Sequence, residues 1–261
     1  DRCSECGGLL KRVGSGTQKV EQELAALFPG TRVLRMDADT VAAARGHEAL
    51  LKQFTEQNIP ILLGTQMVAK GLDFENVTLV GVLDADLSLY VQNYHAAERT
   101  YSLLAQVVGR AGRGERAGRA VIQTYHPENE VIQAAAKQDY EAFYQSELRL
   151  RRLRRYPPFA DLFTLTVSGS EELRVIAAAR TLCDALRCES EREPLRALET
   201  EVLGPAGAPV VKVNDRYRYC VYLCGRSDSA LRRTVSEYLL AFYARKENRG
   251  LDIFADCNAL Q

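Results

Sequence analysis

Ile59-Pro60-Ile61-Leu62-Leu63-Gly64-Thr65-Gln66-Met67-Val68-Ala69-Lys70-Gly71-Leu72-Asp73-Phe74 sets the architecture of the first half of this chain. The opening apolar run is nearly unbroken, which suits a strand covered on both faces, as in a parallel sheet. It stops at Gly64, so the stretch that follows starts at the carboxyl end of a buried strand. In open α/β sheets that rim is where ligands bind. Gly64 and Thr65, with Gln66 beside them, offer a backbone N–H and a hydroxyl to a phosphate of a nucleic-acid strand, while Lys70, Gly71 and Asp73 are placed to face a nucleotide. A plain strand-to-loop turn is the other reading of the same residues.

The pattern continues on both sides. Upstream, Val20, Leu24 and Leu27 recur at helical spacing before Pro29-Gly30, residues 31–36 read as a short strand, and residues 47–57 read as a helix with Leu50, Leu51 and Phe54 inward. Downstream come a second apolar run at 77–83, a helix over 96–108 and a strand at 118–123. Strands alternating with helices predict an α/β lobe with a parallel, RecA-like sheet. Residues 130–155 read as one long helix or two short ones, broken at Tyr156-Pro157-Pro158-Phe159, because proline cannot continue a helix. The domain boundary is expected there: residues 14–155 form the first domain, 156–261 the second, and 1–13 a short leading segment. In 156–261 the expected order is strand, helix, strand, strand, helix, strand, the split βαβ or ferredoxin-like arrangement. Tyr217, Tyr219, Val221 and Leu223 alternate with Arg218, Cys220, Tyr222 and Cys224 along its clearest strand.

Gln106-Val107-Val108-Gly109-Arg110-Ala111-Gly112-Arg113 carries the most chemistry. Two arginines three apart at a helix end present two guanidinium forks toward one target, and guanidinium matches phosphate in a bidentate fashion. In phosphoryl transfer such an arginine stabilises charge building on the γ-phosphate and is worth ~10³ or more in rate. The competing reading is a helix C-terminus whose arginines complement the dipole.

Bulk properties narrow the class. The chain has 261 residues, enough for two cores, and its 46% hydrophobic and 26% charged content is that of an ordinary globular protein. No apolar stretch approaches the roughly 18 residues that span a bilayer. Formal net charge is zero, so only local clusters bear on a nucleic-acid partner. Seven scattered cysteines do not form a secreted disulfide framework, and a reducing cytoplasm is the expected compartment. The chain opens on Asp1-Arg2-Cys3, the start expected of a piece of a longer protein.

Other clusters admit two readings each. Cys3 and Cys6 form a C-x-x-C pair, half of a tetrahedral zinc site, or two free thiols. Arg149-Leu150-Arg151-Arg152-Leu153-Arg154-Arg155 would meet DNA phosphate, chiefly through Arg151 and Arg152, or form a helix paired with acids such as Glu147 and Asp161. Arg216 to Tyr222 interleaves arginine and tyrosine, which suits single-stranded DNA through Arg218 or places the tyrosines in the core with Arg218 outside. Gly14-Ser15-Gly16-Thr17-Gln18-Lys19 lacks the Lys-Ser/Thr ending of a phosphate loop and reads as a loop with a helix cap. The three histidines are not clustered.

An apolar strand followed by GTQMVAKGLDF and, about thirty residues on, QVVGRAGR resembles motifs V and VI of superfamily 2 helicases. Val80 to Asp86, Glu98-Arg99-Thr100-Tyr101, Gly14 to Thr17, Arg35 to Thr40, the turn at 156–159 and Gly204-Pro205-Ala206 resemble the primosomal replication-restart helicases, the PriA (primosomal protein N′) family. The resemblance runs collinearly along essentially the whole chain. It implies a second helicase lobe followed by a C-terminal domain like a ferredoxin-like ribosomal protein. Arg113 would then be the arginine finger, with Arg110 and Gln106 beside it, toward ATP and Mg²⁺ held mainly by an absent first lobe. Thr65 would touch the translocated strand, and Asp73 would couple it to ATP. The family unwinds DNA 3′→5′ at abandoned forks and starts primosome assembly. That implies forked and single-stranded DNA, single-stranded DNA-binding protein and primosome loading proteins as partners of a monomeric, cytoplasmic, nucleoid-associated enzyme. It also implies paired zinc sites whose other cysteines lie upstream of Cys3 and Cys6. No phosphate loop and no acidic Walker motif is present, so the chain by itself is expected to hydrolyse no ATP. One departure stands at the end, where Ala259 replaces the proline that ordinarily follows Asp-x-Asn. A scaffold that binds nucleic acid or protein without motor action is the alternative, and a nuclease or translocase on the same fold is a third reading.

Overall fold

A computed structural model describes residues 16–43, 46–65, 77–91, 93–109, 118–226 and 228–259. By internal packing the chain divides into Asp1–Val91 with Ala96–Phe143, and Gln92–His95 with Tyr144–Gln261.

The first unit is an α/β lobe with parallel strands. Its elements run α1 (Thr17–Leu27), β1 (Val33–Met36), α2 (Ala38–Ala43), α3 (His47–Glu56), β2 (Ile61–Gly64), β3 (Leu79–Val82), α4 (Asp86–Leu89), α5 (Ala96–Val108), β4 (Arg119–Ile122), α6 (Glu130–Lys137) and the start of α7 (Tyr140–Arg154). β1 pairs with β2 and β3 with β4, both in parallel. The apolar stripe of α5 packs Tyr101 and Leu104 against Ile132, Ala135 and Phe143, with Tyr101 and Phe143 stacked at 4.3 Å. The segment at 130–155 resolves into two helices. Asn129 caps α6 by accepting from the Val131 and Ile132 N–H groups, and Gln138, at φ 56°, ends it in the left-handed region.

One expectation is corrected. The apolar run of β3 is not covered on both faces among the described residues: Leu79 is 63% exposed and Val121 on β4 46%. An unbroken apolar run reports affinity for cover, whereas the cover itself comes from elements elsewhere in the fold. Likewise Leu27 does not face inward on α1, being 72% exposed, and Val20 is that helix's buried residue.

The second unit contains β5 (Asp161–Gly169), α8 (Glu172–Ser190), β6 (Glu201–Val213), β7 (Arg216–Gly225), α9 (Ser229–Ala244) and β8 (Asp252–Cys257). The sheet order is β6-β7-β5-β8, antiparallel throughout, which is the expected βαββαβ domain. Phe163, Leu165 and Val167 of β5 meet Val175, Ala179 and Leu186 of α8 and Leu231 and Val235 of α9 in one core. A Val or Leu side chain buried in this way is worth about 1.5–3 kcal/mol. Residues 198–203 alone read as a short strand, but β6 begins at Glu201 and is much longer: it runs to Val213 through irregularities after Leu203 and Gly207. It is an edge strand, so Pro205 and Pro209 cost no ladder bond on a neighbour. Gly204, at φ 112°, passes so close to the Cys220 carbonyl that a Cβ would lie 2.9 Å from it. Asn214 and Asp215 both have positive φ, the two-residue turn that matches hairpin twist.

Candidate nucleotide and DNA interface

The parallel register sets Met36 opposite Gly64, so the residues that follow β1 and β2 emerge at one rim. Thr65 is exposed there. Asp37, directly after β1, is the organising group. Its Oδ2 accepts from the Thr17 hydroxyl at 2.6 Å, its Oδ1 accepts from the Thr40 N–H at 3.0 Å, and Arg35 Nε lies 3.3 Å from Oδ2. The Thr17 hydroxyl, the Thr40 N–H and hydroxyl, and the Arg35 charge hold its carboxyl down at about 2, against a smaller opposing push from burial. The Thr17 hydroxyl therefore ties the first turn of α1 to the end of β1. Gly16 is the N-cap of α1, as the loop-and-cap reading of residues 14–19 expects, and being glycine it caps through its backbone carbonyl, not through a side chain. Asp37 was not among the sequence candidates, and the hint in the sequence is its place between a strand and Thr40.

The end of β3 has a similar device. Asp86 Oδ1 accepts from the Thr124 hydroxyl at 2.8 Å and its Oδ2 from the Tyr125 N–H at 2.9 Å, across the β3–β4 pair. Burial, the largest single influence, pushes this carboxyl up, but the Tyr125 N–H, the Thr124 hydroxyl, its own N–H and the nearby His126 together leave it below its ordinary value. Carboxylates thus clamp the ends of both strand pairs.

Gln106 occupies the last turns of α5 and binds Ser102 Oγ through Nε2 at 3.1 Å. It borders an open cleft of about 540 Å³ lined also by Glu98, Tyr101, Ala105, Tyr140 and Phe143. Gly109 ends the helix beneath Gln138: a Cβ there would lie 2.8 Å from Gln138 Nε2. That amide is the movable end of a long side chain, so a side chain at 109 would have to displace it and would also sit 3.2 Å from the Ala105 carbonyl. Arg110, Arg113, Gln66, Lys70, Gly71 and Asp73 lie outside the described residues, as do Cys3 and Cys6.

The basic run at 149–155 separates into different roles. Arg151 is 7% exposed; its Nε meets Glu147 Oε1 at 2.7 Å, and its Nη1 and Nη2 donate to the carbonyls of Pro157 and Tyr94 at 3.0 and 3.2 Å. Its guanidinium also stands 5.3 Å from the Tyr94 ring centroid. A desolvated guanidinium with its donors engaged is not available to phosphate, so the expectation of a DNA contact at Arg151 is corrected. Arg152 is exposed, 4.9 Å from the Phe159 ring centroid, and Arg149 and Arg154 are exposed as well. Arg218 is partly exposed and donates from Nε and Nη2 to the Val210 carbonyl at 3.2 and 2.8 Å. Tyr217 and Tyr219 pack against the core, and Tyr219 donates to Glu172 Oε1 at 2.9 Å. Of the two readings of 216–222, these tyrosines follow the core one.

Among the described residues no three His, Cys, Asp or Glu side chains gather as a metal site. Burial pushes the thiols of Cys183, Cys224 and Cys257 up, away from the thiolate that ligation or nucleophilic chemistry needs. No described helix is long and apolar enough to cross a membrane.

The two units match two family models in sequence order. Residues 13–115 match the helicase conserved C-terminal domain, and residues 152–258 match the primosomal protein N C-terminal domain. The replication restart protein PriA of Bacillus subtilis (strain 168) is 41% identical over 257 residues, 98% of this chain. This chain belongs to the PriA family. PriA of Synechocystis is 42% identical over 221 residues, 83% of this chain, and that of Chlamydia pneumoniae 37% over 220 residues. The chain spans 31%, 26% and 28% of these three PriA proteins. Its two matched regions are a helicase C-terminal lobe and, after it, the C-terminal domain of this family.

Proposed function

We propose that this chain supplies the second motor lobe and C-terminal domain of an ATP-dependent helicase that unwinds DNA 3′→5′ at stalled or abandoned forks and starts primosome assembly. The observation that carries this reading is the helicase match over 13–115, which spans both the strand-end loop GTQMVAKGLDF and the arginine loop QVVGRAGR. Arg113 acts as the arginine finger on charge developing at the γ-phosphate, with Arg110 and Gln106 beside it. Lys70, Gly71 and Asp73 face the nucleotide, and Gly64, Thr65 and Gln66 hold the translocated strand. The exposed Arg152 adds a sequence-independent phosphate contact. ATP and Mg²⁺ are held mainly by the first lobe, which has the phosphate loop that this chain lacks, and the chain alone hydrolyses no ATP. Cys3 and Cys6 join upstream cysteines around zinc. Forked and single-stranded DNA, single-stranded DNA-binding protein and primosome loading proteins are the partners, in the bacterial cytoplasm.

The test joins the chain to its upstream lobe and measures DNA-stimulated ATPase. Arg113→Ala is expected to lower turnover by about 10³, and Arg110→Ala by less. Turnover at the parent level in Arg113→Ala would remove the finger assignment, and ATP hydrolysis by the chain alone would remove the division of labour.

A further inference from the structure

The chain passes into the second unit and returns to the first before it enters the second for good. Residues up to Val91 and again from Ala96 pack with the first unit, whereas Gln92–His95 pack with the second. Ala96 is the first residue of α5, the helix that carries Gln106 and leads into Gly109-Arg110-Ala111-Gly112-Arg113.

Tyr94 is held at several points, all of them within the second unit. Its hydroxyl donates to the Asn258 carbonyl at 3.0 Å, and its own carbonyl accepts from Arg151 Nη2 at 3.2 Å. Its ring centroid lies 5.3 Å from the Arg151 guanidinium and 5.8 Å from that of Tyr156. These partners are themselves fixed. Arg151 is buried and paired with Glu147, and Asn258 bonds the Leu162 N–H and carbonyl near the start of β5. Asn93 Oδ1 accepts from the His95 N–H at 2.8 Å, an Asx turn that delivers the chain to Ala96. His95 alone separates the Tyr94 anchor from the first turn of α5.

A helix transmits displacement along its axis. With 13 residues, α5 is about 20 Å long, so a tilt of about 3° at its start moves its end by about 1 Å. A shift of that size at a reacting group can lower a rate by about 10²-fold.

We propose that Asn93-Tyr94-His95 is a tie by which the C-terminal domain fixes the leading end of α5, which makes Tyr94 a positioning residue for Gln106 and the arginines that follow it. The inference rests on the reading of those arginines as acting on ATP. It adds a covalent route by which load on the C-terminal domain reaches ATP hydrolysis, through residues that contact neither nucleotide nor DNA.

The test uses the chain rejoined to its upstream lobe and slackens the tie in two ways. Tyr94→Ala removes the ring and the hydroxyl, whereas a Gly-Gly insertion between His95 and Ala96 leaves every Tyr94 contact in place. Each should lower kcat of DNA-stimulated ATPase about tenfold and leave KM for ATP within about twofold. Tyr94→Phe, which keeps the ring beside Arg151, should retain most of the turnover. The insertion variant should melt with the parent, which separates slackness from unfolding. Groups that act as one unit are not additive, so either change combined with Arg113→Ala should be no slower than Arg113→Ala alone. Parent-level kcat in either variant, or losses that multiply with Arg113→Ala, would overturn the tie while Arg113 keeps its role. Parent-level turnover in Arg113→Ala would instead remove the arginine reading, and the tie with it.

Discussion

Arg151 and Glu147 form an ion pair inside the C-terminal unit, with Nε 2.7 Å from Oε1 and only 8% and 10% of their side chains exposed. The pair lies in the most basic stretch of the sequence, yet it is structural. Removing one partner leaves the other charge buried, which costs about 3–5 kcal/mol. Arg151→Ala should therefore lower the urea midpoint strongly without changing the salt slope of DNA binding by the folded protein. Arg152→Ala should do the reverse: stability near that of the parent, and a log–log salt slope shallower by about 0.7 on single strands. Equal salt slopes for parent and Arg152→Ala would exclude that residue as a phosphate contact.

Asp37 makes the first unit acid-sensitive. Its carboxyl is held at about 2, below the ordinary 3.8, first by the Thr17 hydroxyl and then by the Thr40 N–H. A depressed carboxylate favours the fold while ionised, so its contribution is complete above about pH 4 and is lost as pH falls through about 2. Asp37→Asn should flatten the fall in thermal midpoint over that window, and Thr17→Val should move the fall to higher pH. An identical acid profile for Asp37→Asn would show that other carboxylates govern it.

Asn258 stands where the strand order ends. Its Oδ1 accepts from the Leu162 N–H at 2.8 Å, its Nδ2 donates to Asp161 Oδ1 at 2.9 Å, and its backbone sits at φ 52°. Asn258→Ala loses both side-chain bonds and strains the left-handed backbone, at a cost of about 2–3 kcal/mol. Asn258→Gly relieves the backbone but not the bonds, so its thermal midpoint should fall between the other two. Alanine and glycine variants of equal stability would show that backbone strain at 258 is negligible.

Gln106 donates from Nε2 to Ser102 Oγ at 3.1 Å, one turn back on the same helix. Gln106→Ala should leave the unfolding midpoint within about 0.5 kcal/mol of the parent, as surface changes do. In the rejoined helicase it should lower DNA-stimulated ATPase. A loss of activity matched by a loss of stability would assign Gln106 to packing instead.

Element types were legible wherever periodicity was strong. The helix expected at about 96–108 is α5, Ala96–Val108, and the βαββαβ order follows from alternation at 217–223 and helical stripes on both sides of it. The extent of β6 was not legible, because Gly204, Pro205 and Pro209 look like a strand's end unless the strand is known to be at an edge. The split at Gln138 was equally hidden, since the choice between one helix and two turned on a single left-handed residue.

By itself the sequence determined the motifs, their order and the two-part organisation, because residue chemistry and local periodicity are properties of neighbours along the chain. Only the tertiary structure decided which charges face water. Arg151 and Arg152 are adjacent and chemically identical, yet one is buried against Glu147 and the other exposed, because helical rotation carries neighbouring side chains to different faces. Asp37 likewise gained its role from Thr17, twenty positions away, through a contact that only folding brings about.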